Sequence, residues 1–214
     1  RIYSNDQCGG AVETRLDFNS LRAQKARFNA KFGKTTDLLM TVICIFLVFG
    51  GLALLILSQS IGWVVLSLAA WPWMIHIWKT RDLDRLPAEK KPNNLTDVLD
   101  GDLLGVLPDN PSPRDIAVAA MKTNGGQFFY ARFGISAQYL PDLSSSAPDD
   151  STAVWQESLA IDAGLSDRTG LISSSTVTAA LIRTQAQVKT VLSSLHLDED
   201  DALKGAEWFM HLSK

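Results

Sequence analysis

Gly33-Lys34-Thr35 has the residue types that close a phosphate-binding loop, where backbone N–H groups and a lysine cradle phosphate oxygens. Such a loop needs a glycine five positions before Gly33 to make its first turn, and Phe28 stands there. The stretch before it is not a strand either. Leu21, Phe28 and Phe32 recur at helical spacing among Arg22, Lys25, Arg27 and Lys31, so the glycine and lysine read as part of a basic helix.

The other candidates for chemistry resolve in the same way. "HLDEDD", residues 196–201, gathers one imidazole and four carboxylates, but consecutive acidic residues point to different faces of a helix start. Asp198 reads better as a helix cap, with acidic residues favoured in the first turn by the helix dipole. The serine runs at 144–146 and 173–175 lack the strained strand-to-helix turn that exposes a serine nucleophile. Glu157 and Asp162 have no partner in the sequence that would set them up as an acid/base pair. Cys8 and Cys44 are the two cysteines; Cys44 sits in an apolar run and Cys8 in a polar one, so they read as free thiols. No catalytic, cofactor-binding or metal-ligating residue is nominated.

The elements that carry these residues divide sharply by charge. Residues 1–91 carry +5 and residues 92–214 carry −8, within a chain of 214 residues and net charge −3. An acidic second half without a basic stripe argues against nucleic-acid binding. From Leu38 to Trp78 there is no Asp, Glu, Lys or Arg. Leu38–Leu57 is long enough to span a hydrocarbon core of ~30 Å at 1.5 Å per residue. Ser58-Gln59-Ser60 is the polar break, and residues 61–78 supply a second span that tolerates a kink at Pro72. Membrane lipid is therefore the first expected partner, with Lys34, Trp71, Trp73, Trp78, Lys79 and Arg81 at the interface. Cations flank both ends of the hairpin and none lies in its loop, which places the N-terminus and the second half in the cytoplasm. His76 fits the headgroup level, and no ionisable residue lies deep in either span, so the hairpin reads as an anchor. On this reading 1–37 is a basic cytoplasmic segment, the first span starts near Asp37 under Thr35 or Thr36 caps, and 79–94 is a linker.

Residues 95–214 are punctuated as helices throughout, which makes the fold class all-α. Leu95–Leu104 is one short helix. Ser112, Pro113 and Asp115 open the next with a capping box, Gly125-Gly126 breaks it, and Gly134 stops the third. Ser151–Ala163, "STVTAALIRT", "AQVKTVLSSLHL" and "DEDDALKGAEWFMHL" follow. Two stretches repeat one pattern. Ile116, Ala119, Met121, Lys122 and Thr123 match Val177, Ala180, Ile182, Arg183 and Thr184, a shift of 61. Phe129, Tyr130, Phe133 and Ile135 match Val191, Leu192, Leu195 and Leu197 after one extra residue. Two copies of one unit, about 95–140 and 151–212, each too small to bury its apolar face alone, would pack together.

The cadence from Ala119 to Ile135, "AAMKTNGGQFFYARFGI", together with its diverged second copy, resembles the two-repeat amino-terminal domain of Clp-type AAA+ unfoldases over roughly 95–212. It departs from that family in the preceding hairpin and in the long link 141–150. The resemblance implies a docking module for substrate proteins or adaptors, with an apolar groove between repeats. ATP and Mg, and homo-oligomerisation through the ATPase ring, would belong to residues beyond this chain, which starts without Met and reads as a fragment. Phe128, Phe129, Tyr130, Trp155 and Trp208 are the large apolar side chains of the domain, and each is first a core candidate. The alternative is an anchored adaptor or scaffold without an ATPase.

Overall fold

The computed structural model describes residues 16–57, 60–84, 94–134, 139–165 and 170–212, with the side chains at 76, 78–82 and 84 outside that set. All the regular elements among them are helical, with one isolated bridge between Leu99 and Ile172. The all-α expectation is met. Cys8, Arg15, Ser58 and Gln59 of the expected polar break, residues 85–93 of the expected linker and Ile135 lie outside the described residues.

Helix α1 runs Leu21–Ile56, 36 residues and about 54 Å long. It does not start near Asp37. Its N-cap is Ser20, whose hydroxyl accepts from the Ala23 amide at 3.2 Å. Thr36 and Thr41 instead donate to the carbonyls of Phe32 and Asp37 within the helix, each at 2.8 Å. This helix is long and apolar enough to cross a membrane. Helices α2 (Ile61–Leu68) and α3 (Ala70–Asp84) pack back along it. Gly62 makes the close approach possible, since a Cβ there would lie 2.7 Å from the Gly51 carbonyl oxygen. The returning arm is interrupted at Ala69, three residues before Pro72, whose ring cannot share space with the carbonyl of Leu68. The second arm is thus two helices, and α3 continues to Asp84 through residues expected to be linker.

Helices α4 (Leu95–Val98) and α5 (Gly101–Val106) replace the single helix expected over 95–104. A long-range contact splits them: the Ile172 amide donates to Val98 O at 2.6 Å and the Asp100 amide to Ile172 O at 3.0 Å. Helix α6 (Pro113–Met121) has the expected capping box, with Ser112 Oγ accepting from the Asp115 amide at 3.2 Å and Asp115 Oδ2 from the Ser112 amide at 3.0 Å. The break after it falls at Lys122-Thr123, not at the glycines. Gly125 and Gly126 form the first turn of α7 (Asn124–Phe133), because a Cβ on Gly126 would sit 1.9 Å from Ala120 O. Helices α8 (Tyr139–Leu143), α9 (Ser151–Gly164), α10 (Ser174–Thr184), α11 (Ala186–Ser194) and α12 (Glu199–Leu212) complete the domain. Helix α10 is its axis: every residue from Ser174 to Ile182 is buried, against α6, α7, α9 and α12.

Candidate recognition surface

Three features relate the two halves of the domain. The serine caps Ser112 and Ser173 stand 61 apart, and each accepts from the amide three residues on, at 3.2 Å. The left-handed residues Gly134 (φ 63°) and His196 (φ 58°) stand 62 apart and follow α7 and α11. The packing is also reciprocal: α7 of the first half meets α12 of the second, and α11 of the second meets α8 of the first. Equivalent surfaces exchanged this way are what two copies of one unit make around a pseudo-twofold axis.

The closing helices differ, and that difference makes the surface. Helix α8 has 5 residues and α12 has 14. Ala202, Gly205 and Ala206 seat α12 closely, with the Phe133 ring 2.9 Å from where a Gly205 Cβ would lie. Two clefts flank it. One of about 600 Å³ runs between α9, α10 and α12 over Ile161, Leu165 and Leu203. The other, about 470 Å³, lies against α7 and is lined by Arg132, Phe133, Leu197 and Trp208. Lys204 and Glu207 border both.

Ion pairs hold the rim of the larger cleft. Arg183 Nε lies 3.2 Å from Glu157 and 3.6 Å from Glu199, and Lys189 Nζ lies 2.7 Å from Glu199. The hydrogen bond from Lys189, ahead of its charge and that of Arg183, holds the Glu199 carboxyl below the usual range. Asp198 and Asp201 cap each other's amides at 2.8 and 3.1 Å, and the Asp201 amide lowers the Asp198 carboxyl. The acidic run at 198–201 is therefore committed to starting α12, as the sequence suggests. Glu157 is held by Arg183, and Asp162 is buried.

Of the five large side chains expected first in the core, Phe129, Tyr130 and Trp155 are there. Burial pushes the Tyr130 phenol above its usual range, and its hydroxyl donates to Ala117 O at 3.4 Å. Phe128 is half-buried, and Trp208 is 49% exposed with Arg132 stacked 4.7 Å from its ring centroid. Phe128 meets the rings of Trp208 and Phe209 at 6.5 and 5.3 Å.

The interface candidates fall on the long arm. Lys34 is exposed on α1, and Trp71 and Trp73 are 64% and 65% exposed on α3. The Cys44 thiol reaches Ala69 O at 3.7 Å, and counting from that contact sets Trp71 and Trp73 level with Val42 and Met40. The side chains of His76, Trp78, Lys79 and Arg81 lie outside the described residues. Two cations of the basic segment have been drawn into the domain. Arg22, 6% exposed, donates to Leu83 O at 3.3 Å and Leu99 O at 2.8 Å. Arg27 donates to Leu107 O at 3.0 Å and pairs with Asp109 at 2.7 Å. No family model, curated protein or solved structure matches this chain.

Proposed function

We propose that the chain is a membrane-anchored protein-recognition region of the Clp amino-terminal type, which would present substrate proteins or adaptors to an AAA+ ATPase ring outside these residues. The observation that carries it is the course of α1. One end lies in the domain's packing through Ala23 and Ala26, and the other bears bare apolar side chains such as Phe46 (74% exposed) and Phe49 (68%). Large apolar side chains exposed in that number along one arm suit a bilayer and are costly in water. The cations flanking the arm favour a cytoplasmic domain. The duplicated caps and reciprocal packing support the Clp-like reading, and the aromatic cleft beside α12 supplies a surface for an apolar segment of a client.

The test uses the full chain in lipid nanodiscs and a fluorescent, permanently unfolded protein such as carboxymethylated lactalbumin. Saturable binding that weakens several-fold on Trp208→Ala is expected. Failure of the nanodisc-bound chain to bind it would remove the substrate-recognition reading, and failure to enter nanodiscs would remove the anchor.

A further inference from the structure

The charge-free run of the anchor begins at Leu38, and the returning arm fixes the level of that boundary. Gly62 against Gly51 and Ala69 against Cys44 hold one antiparallel register, which sets Trp73, 65% exposed, level with Met40. An exposed indole about 3 Å from the end of an apolar run marks the membrane–water boundary. Lys34 stands four residues before Leu38, about 6 Å along the axis, within a headgroup layer about 5–7 Å deep. Lys31 is one turn further out, within a Debye length of that layer. The two share one face of α1, both are exposed, and among the described residues neither pairs with a carboxylate.

Their neighbours are already committed. Arg22 and Arg27 bond carbonyls of the domain, Arg27 also takes Asp109, and Lys25 and Asp37 have interactions of their own. More cations come from the other arm. Helix α3 leads from the Ala69 contact with Cys44 down to Leu83, whose carbonyl accepts from Arg22. Between those two contacts Lys79 and Arg81 pass alongside the stretch of α1 that holds Lys31 and Lys34. Together, residues 31–37 and 79–91 hold seven Lys or Arg against four Asp or Glu, a net +3. The sign decides what such a collar gathers. A zwitterionic headgroup carries a cation beside its phosphate, an anionic phospholipid leaves its phosphate charge unanswered, and juxtamembrane cations favour the second.

We infer that Lys31 and Lys34, flanked by Lys79 and Arg81, hold the phosphates of anionic phospholipids at the inner face of the bilayer. Placing the lysines at that face rests on the membrane-anchored reading above. The test uses the full chain in phosphatidylcholine bilayers that carry a trace of spin-labelled phosphatidylglycerol or spin-labelled phosphatidylcholine. The motionally restricted part of the spectrum reports the lipid held against the protein. Labelled phosphatidylglycerol should associate about three-fold or more strongly at low salt, and the preference should shrink in high salt. Lys31→Gln with Lys34→Gln should roughly halve it, and Lys31→Glu with Lys34→Glu should bring it to about one. A wild-type ratio of one, or a ratio that neither double substitution changes, would overturn the site. So would a preference that millimolar inorganic phosphate abolishes at constant ionic strength, since the site would then be one for free phosphate. Flotation with vesicles separates the two readings. Restricted lipid with no preference keeps the anchor and overturns the collar. Salt-reversible flotation with phosphatidylglycerol vesicles alone, without restricted lipid and lost on Lys31→Glu with Lys34→Glu, keeps the collar and overturns the anchor. No flotation with either lipid overturns both.

Discussion

The two halves of the helical domain keep their punctuation and change their reach. Both open their first helix with a serine, Ser112 or Ser173, and close their second with a left-handed residue. The first half adds Pro113 and the reciprocal Asp115 bond, and it ends in Gly134; the second relies on hydroxyls and places His196 where glycine is easiest. The first half closes with a five-residue helix and the second with one of 14. Caps fix where helices turn, so two units that follow one course must both keep them. The length of a closing helix is free, and lengthening α12 creates clefts that the first half lacks the material to build.

That comparison can be broken most strongly at the tight turn of the first half. Gly126→Ala drives a methyl into Ala120 O, 1.9 Å away, and should cost about 3 kcal/mol or more in denaturant unfolding, as overpacking of this kind does. Gln187→Ala, at the corresponding exposed place in α11, should stay within about 0.5 kcal/mol. If both cost the same, the halves do not differ in their turns. The left-handed pair should move in opposite directions. Gly134→Ala is expected to destabilise by about 1 kcal/mol and His196→Gly to stabilise by up to about 1 kcal/mol, read from urea midpoints. Removing the caps comes next: Ser112→Ala and Ser173→Ala should each cost about 1 kcal/mol, and the former more because the Ser112 hydroxyl also donates to the charged Asp115 carboxylate, whereas Ser173 bonds the neutral hydroxyls of Ser175 and Thr176.

The smallest effect is an acid-side pH dependence that belongs to the second half. Glu199 titrates below its unfolded value because Lys189 donates to it. Its contribution is therefore present above the unfolded value, near pH 4.5, and is lost as pH falls through the lower folded value. Since the pair is exposed, Lys189→Ala should lower the melting temperature by a degree or so at pH 7, and by progressively less as pH falls below about 4.5. An equal loss across that range would mean that Lys189 acts through packing.

Much of this architecture is legible in the sequence because caps are local. Ser112, Gly134, Ser151 and Asp198 each mark a helix end within a few residues of themselves, and the spacing of 61 and 62 carries over to the cap residues. What the sequence conceals is long-range. The break at Leu99-Asp100 comes from pairing with Ile172, more than seventy residues away, and nothing in "LTDVLDGDLL" announces it. That the basic helix and the apolar span are one continuous α1 is hidden for another reason. Its buried face is made of alanine and glycine, which carry little hydropathy, while Leu21, Phe28 and Phe32 draw the eye to the exposed face. The clefts beside α12 arise only when separate helices dock, so no single segment foretells them. The carbonyl bonds that hold Arg22 and Arg27, and the Arg27–Asp109 ion pair, are of the same kind: as sequence, both are simply cations near an apolar run.

One consequence of α1 remains. Because it passes from Ala23 to Ile56 without a joint, it is a lever whose short arm is clamped by Arg22 and Arg27. Over about 54 Å, a ten-degree change of tilt displaces the far end by roughly 9 Å. On the membrane-anchored reading proposed above, mismatch with the bilayer's thickness is one source of such tilts. A thinner or thicker membrane would therefore swing the whole domain, clefts included, through an arc wider than an α-helix's own radius, and so alter which neighbours it can reach.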